Sequence, residues 1–381
     1  LALAHRLAPA NDAISEALFE QLPSGMRAQG LGNLLKSSQG LSVAHHQRLE
    51  QEAALAAMHA DSRLTEIVRP TAIDLLPLYV DGKLIRDYGL KIKTPGGSLA
   101  IDLDSTAEGI LLTKKDAARL GVVPAIAAET TPPYLGYVDS LQVGPVHFGR
   151  TAVKVVPDAV LAKDGYSVIS LGFFHDALIH IDWNAKQMTL TPYAGPSQSP
   201  DALQTNATAP DSEHTWARVL VDRQRMLMLT LLENKPAGYF VADTSFMLDT
   251  VSNAIAQNKH RQKDNTLHLY GVDGPLVRLY VKAGGANSDV TDFFDETGRE
   301  EPVRFIDEQV NLRYGGIAHV VPTLWNFDLE PMSHALGTEV SGLIGFRVLQ
   351  QYYLDFDYRN GYVHMLYDAN FELRRLTLEN R

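Results

Sequence analysis

Two textures of apolar and polar positions follow one another along the chain. Up to about residue 70 the sequence is rich in Ala, Leu, Gln and Glu, and from Leu41 to Arg69 apolar residues recur at helical spacing among good helix formers. This pattern predicts a helical N-terminal segment over residues 1–70. From Leu75 onward, short β-branched and aromatic runs are punctuated by Gly, Pro and Asp, the pattern of many short strands joined by turns. A run rich in Pro, Ser, Ala, Asn and Asp between Tyr193 and Thr215 divides the β region. The expected organisation is a helical segment at 1–70, a first β lobe at 71–195, a linker at 196–214 and a second β lobe at 215–381.

The two β stretches repeat one another. Leu99-Ala100-Ile101-Asp102-Leu103-Asp104-Ser105-Thr106 reads as an apolar strand running into an acidic turn, and Gly238-Tyr239-Phe240-Val241-Ala242-Asp243-Thr244-Ser245 does the same. Nine residues beyond each Asp stands a hydroxyl suited to cap a helix, Thr113 and Ser252, before a short Ala-containing stretch. Farther on, each half holds an apolar run closing on glycine and then Phe, Ile169-Ser170-Leu171-Gly172 and Gly342-Leu343-Ile344-Gly345. Each half then ends in a strand pair of hairpin type, from Ile179 to Leu190 and from Leu354 to Met365. Asp182, Asp355 and Asp357 read as ordinary hairpin residues. Asp102 alternates with Asp104 along one strand and shares its face, or else marks an exposed strand end. Asp249 falls where the first half has Ile110-Leu111-Leu112, so it does not match the repeat.

In this paired context the chain resembles the two-lobed pepsin-like or retropepsin-like aspartic peptidases of bacteria. In that family each lobe supplies a strand ending in Asp-Thr-Gly or Asp-Ser-Gly, then a helix, then an apolar-apolar-Gly element passing beneath the acidic turn. The resemblance runs from about Leu75 to Leu366 and implies a mainly β, bilobal pepsin-like fold behind a helical N-terminal segment. It implies that Asp104 and Asp243 form a catalytic dyad, that Ser105 and Thr244 brace the two turns, and that Gly172 and Gly345 belong to the structural glycine motif. Two carboxylates about 3 Å apart share one proton, so one activates a water while the other protonates the substrate carbonyl. The implied activity is that of an endopeptidase acting on a peptide or protein without cofactor or metal. The flap that closes over substrate in this family falls near Tyr134 and Tyr137. The chain departs from the family at the third motif position, where Thr106 and Ser245 replace glycine. That departure leaves open an inactive homologue that binds peptides or serves in assembly.

Composition narrows the alternatives. The formal net charge of −11, with no run of Lys or Arg, argues against a nucleic-acid partner. The absence of cysteine excludes disulfides, thiolate metal sites and a cysteine nucleophile. No apolar run is long enough to span a bilayer. His45 and His46 with Glu50 and Glu52 are the one local cluster of metal-ligand type, and their spacing reads instead as a solvated helix face. The chain begins at Leu1 rather than Met, which favours an exported protein, periplasmic or secreted. Residues 1–70 precede the first acidic turn as a propeptide would, so self-occlusion of the cleft by this segment is a further expectation.

Overall fold

Alternation of period two decides most of the structure from residue 71 onward, which is mainly β. The structure, a computed structural model, describes residues 12–371 apart from short gaps and the longer stretches 61–66, 158–165, 194–215, 257–261, 272–278 and 283–298. The expected linker at 196–214 lies outside the described residues. Contacts group the chain into two compact units that interleave in sequence. One comprises residues 1–66, 92–99 and 109–167, and the other residues 67–91, 100–108 and 168–381.

The first unit carries helices Asp12–Glu20, Ser24–Ser37 and Val43–Ala57. The third begins where the Ser42 side chain accepts from His45 N at 3.2 Å, an N-cap that satisfies one orphan donor of the first turn. It ends at Ala57, short of the Arg69 that apolar spacing alone suggested. Leu31, Leu34 and Leu49 form the core between the second and third helices, with Phe19, Leu35 and Leu41 packed against it. Leu55 and Ala60 then pack with Ala125, Leu135 and Tyr137 on the strands that follow. Gln51 Oε1 accepts from Leu135 N at 2.7 Å, tying helix to strand by a specific polar contact. The cluster around His45 is an ion-paired helix face: His45 and Arg48 both engage Glu16, Arg48 also reaches Glu52 at 2.9 Å, and His46 stands 3.6 Å from Glu50. Among the described residues no group of three His, Asp or Glu side chains is placed to hold a metal ion. No helix among them is long and apolar enough to cross a membrane.

The second unit contains a six-stranded sheet assembled from both halves of the sequence. Strands Ala177–Asp182 and Gln187–Pro192 form one hairpin, and Tyr352–Asp357 with Tyr362–Tyr367 form the other. The hairpins meet edge to edge, with Ile179 opposite Phe356, His180 opposite Asp355 and Ile181 opposite Leu354. Thr71–Asp74 and Ala217–Arg218 extend the sheet at its two ends. Alternate residues of the two central strands are buried, including Ile179, Ile181, Leu354 and Phe356. Each such side chain contributes about 1.5–3 kcal/mol on leaving water, and a register slip of one residue would turn the whole set outward. Beside this sheet the rings of Tyr88, Trp183 and Phe346 cluster, Trp183 and Phe346 meeting edge to face at 5.0 Å. Phe346 is the residue after Gly345, so the cluster pins the glycine element to the hairpin sheet.

Candidate active site

Asp104 and Asp243 lie in the same compact unit. Asp104 is the last residue of strand Gly97–Asp104, whose final four positions are all buried, and Asp243 directly follows strand Lys235–Ala242. Both carboxylates are removed from solvent, at 0% and 4% exposure. The second acidic strand runs parallel to Gly342–Ile344, with Phe240 opposite Gly342 and Ala242 opposite Ile344, and Asp243 N donates to Ile344 O at 2.9 Å. The glycine element therefore holds the acidic turn through the backbone, which requires a close approach. A β-carbon on Gly342 would stand 2.4 Å from Thr250 O, a distance real side chains do not reach.

The two turns are tied by a reciprocal set of hydrogen bonds. Ser105 N donates to Thr244 Oγ1 at 3.0 Å and Thr244 N donates to Ser105 Oγ at 2.9 Å. Each hydroxyl then donates across to the strand of the other half, Ser105 Oγ to Ala242 O at 2.6 Å and Thr244 Oγ1 to Leu103 O at 2.8 Å. All four groups are buried, so these bonds are shielded from competing water.

Thr106 and Ser245, at the positions where the resembled family has glycine, fold back on their own carboxylates. Thr106 N and Oγ1 both donate to Asp104 Oδ1 at 2.7 Å, and Ser245 N and Oγ both donate to Asp243 Oδ1 at 3.0 Å. In each turn one carboxylate oxygen is thus fixed by two donors from the residue two positions on. The same geometry in both halves is the sequence repeat expressed as structure.

The supporting elements repeat less evenly. Thr113 Oγ1 accepts from Asp116 N at 3.1 Å and caps helix Lys114–Leu120, which stops at Gly121 in the left-handed conformation (φ 71°). Ser252 Oγ accepts from Ile255 N at 3.4 Å at the start of helix Asn253–Ala256. Gly172 N donates to Ser170 Oγ at 3.1 Å, whereas Gly345 N donates to Asp249 Oδ1 at 2.7 Å. Two different side chains perform one task, and the second brings a carboxyl into the core. Burial pushes the Asp249 carboxyl up to about 7, partly offset by the Gly345 N–H and by Arg347. Asp102 is fully buried, which removes the reading of it as an exposed strand end.

The tyrosines proposed for the tip or flank of a flap hairpin fall within a strand. Both lie inside strand Tyr134–Val138, which pairs with Thr151–Val156 on one side and Val123–Pro124 on the other. Tyr134 is buried and the Tyr137 ring carries Arg150 at 5.0 Å, so neither occupies a hairpin tip. The sheet claims this segment because its alternate positions, Tyr134, Gly136 and Val138, are all buried.

Two residues near Asp104 escaped the sequence reading. Arg225, 3% exposed, donates from Nε to Thr106 O, and Tyr358 is buried within electrostatic reach of Asp104 and Arg225. Burial foremost, and then the Asp104 charge, push the Tyr358 hydroxyl well above its ordinary range. A charged residue heading the apolar run Arg225-Met226-Leu227-Met228 was the one available signal for Arg225.

No family model matches the chain, and no curated protein sequence matches it. Among solved structures it is similar to the crystal structure of basic 7S globulin from soybean, at 11% identity and a TM-score of 0.42 over 79% of this chain and 95% of that one.

Proposed function

We propose that this protein is an aspartic endopeptidase with a bilobal pepsin-like architecture, in which Asp104 and Asp243 form the catalytic dyad. The observation that carries this reading is the reciprocal bonding of Ser105 and Thr244, each turn accepting from and donating to the other. A single Asp-hydroxyl turn is common at strand ends. Two such turns locked together by buried hydroxyls, each presenting a buried carboxyl, constitute a device for holding two acids side by side. Packing alone does not call for such an arrangement, because burying acidic groups is costly. The six-stranded sheet built from a hairpin of each half, and the placement of the second turn against its glycine-containing element, fit the same reading.

In this mechanism the dyad carries one proton between two carboxylates. The ionised member takes a proton from a water as that water attacks the scissile carbonyl carbon, and the protonated member gives its proton to the carbonyl oxygen. In the collapse of the resulting gem-diol the protonated carboxyl gives its proton to the amide nitrogen while a gem-diol hydroxyl gives its proton to the other carboxylate, so the C–N bond breaks to an acid and an amine and one proton remains on the pair. Thr106 and Ser245 hold Oδ1 of each carboxyl, so Oδ2 is the oxygen assigned to proton sharing and to the water. The substrate is a peptide in extended conformation, recognised by backbone hydrogen bonds and by apolar side-chain pockets.

The test is cleavage of a random-peptide library between about pH 3 and 7, comparing the wild type with Asp104→Asn and Asp243→Asn, and repeating the assay after removal of residues 1–70. Acid-favoured cleavage that either substitution abolishes supports the reading. A folded wild type that cleaves nothing in either form, yet binds peptides, would replace it with a peptide-binding homologue.

A further inference from the structure

The first acidic turn has a buried cation set against it. Arg225 opens strand Arg225–Leu232, and its Nε donates to Thr106 O while its Nη1 stands 3.8 Å from Glu108 Oε2. Thr106 is the residue whose N and Oγ1 hold Asp104 Oδ1, so the guanidinium grips the peptide that aims the carboxyl. The neighbouring backbone is pressed equally close: a β-carbon on Gly172 would stand 2.2 Å from Gln224 O. Among the described residues, no Arg or Lys is bonded to Ser245, the matching residue of the second turn.

A guanidinium at 3% exposure costs several kcal/mol in desolvation unless anions nearby offset it. Glu108 is a loose partner, with a side chain 41% exposed. Charged and titratable groups on the elements that meet Arg225 include Asp104 at the end of the first acidic strand, the buried Asp102 on that same strand, Asp222 opposite Arg225 in the strand pair, and the buried Tyr358 hydroxyl. A fixed positive charge in such a site favours ionisation of the carboxyls around it, and Asp104 is the one whose aim Arg225 fixes through Thr106.

We propose that Arg225 is a positioning residue for Asp104 that makes the two carboxyls unequal, keeping Asp104 as the ionised, water-activating member and leaving the shared proton on Asp243. This rests on the peptidase reading above. It adds that the acid limb of the activity is set from behind the dyad by a residue that never touches substrate.

The experiment records the pH profile of kcat/KM for a cleaved peptide together with a carbon-13 carboxyl NMR titration of the aspartates, in wild type, Arg225→Met, Arg225→Lys and Glu108→Gln. Removing the cation raises the first ionisation of the pair, so Arg225→Met should move the acid limb and the NMR transition to higher pH by about one unit, a tenfold loss of activity on that limb. Arg225→Lys keeps the charge and should hold most of the wild-type position. Glu108→Gln removes a competing anion from a half-exposed site and should move both readouts the opposite way, which keeps the test alive if Arg225→Met does not fold. A uniform loss of activity across pH with an unmoved limb, or an unmoved limb in Glu108→Gln where Arg225→Met is unfolded, overturns the proposal. If the folded wild type cleaves nothing, the peptidase reading fails by itself, and the NMR transition alone decides whether Arg225 governs the ionisation of Asp104.

Discussion

Ser105→Ala is the sharpest perturbation of the site. It deletes the oxygen that accepts from Thr244 N at 2.9 Å and donates to Ala242 O at 2.6 Å, in a position only 2% exposed. A buried polar group left without its partner costs about 1–3 kcal/mol, so losing both bonds should destabilise the protein by about 2–6 kcal/mol. That is a large share of a typical domain stability of about 5–15 kcal/mol. Thr244→Val should cost a similar amount, because it strips the mirror pair, Ser105 N and Leu103 O. The two changes should not add, since either one already loosens the same two turns, and a coupling of at least about 0.5 kcal/mol is expected for residues sharing one network. Urea unfolding followed by tryptophan fluorescence reads this directly, because Trp183, Trp216 and Trp325 all lie in the compact unit that contains Asp104 and Asp243. On the proposed peptidase reading, peptide cleavage should fall alongside stability. A Ser105→Ala protein within about 0.5 kcal/mol of wild type, or a strictly additive double variant, would refute the claim that these hydroxyls hold the turns together.

Other expectations follow from single contacts. Gly172→Ala would place a methyl 2.2 Å from Gln224 O, so it should lower the thermal midpoint by an amount matching about 1–3 kcal/mol of overpacking, with any smaller change showing that the Gln224 backbone yields. Asp249 titrates at about 7 in the fold against an ordinary 3.8, so the folded state binds the extra proton between those values and stability should decline as pH rises through that window. Asp249→Asn keeps an acceptor for Gly345 N and should flatten this decline, which chemical denaturation at pH 4, 6 and 8 would reveal. On the six-stranded sheet, Asp355 accepts from His180 Nδ1 at 2.7 Å and from His364 Nδ1 at 2.9 Å. The Asp355 hydrogen bond raises His180 against the opposing effect of burial, and the two histidines lower Asp355 despite its own burial. The bridge should therefore stabilise most between the ordinary carboxylate and imidazole ranges, fading as Asp355 protonates at lower pH and as His180 deprotonates at higher pH. Asp355→Asn should return the His180 NMR titration towards 6.5; an unchanged titration would show that the bridge does not govern it.

What could be read in advance was local and doubled. The strand-to-turn segments at Asp104 and Asp243, the capping hydroxyls Thr113 and Ser252, and the two closing hairpins each depend on residues within about a dozen positions, and each occurs twice. Repetition turned weak local signals into a usable pattern. Asp249 carried no such signal, because its counterpart in the first half is Ile110, and only the fold shows that it does for Gly345 what Ser170 does for Gly172. For the tyrosines the Pro-Pro-Tyr-Leu-Gly-Tyr run left tip and flank of a hairpin open, and only pairing on both sides places them within a strand.

The sequence by itself determined the mainly β character beyond residue 70, the helical start, and which acids and hydroxyls stand at the ends of equivalent strands. These follow from side-chain period, capping chemistry and turn residues, all short-range. Tertiary structure alone decided that Ser105 and Thr244 would exchange bonds across 139 positions of chain, that Thr106 and Ser245 would turn back on their own carboxyls, and that Arg225 would come to lie against Thr106. The reason is physical: a hydrogen bond or a buried charge acts over a few ångströms, and which groups come within that distance is set by how the sheets close rather than by the order of residues along the chain.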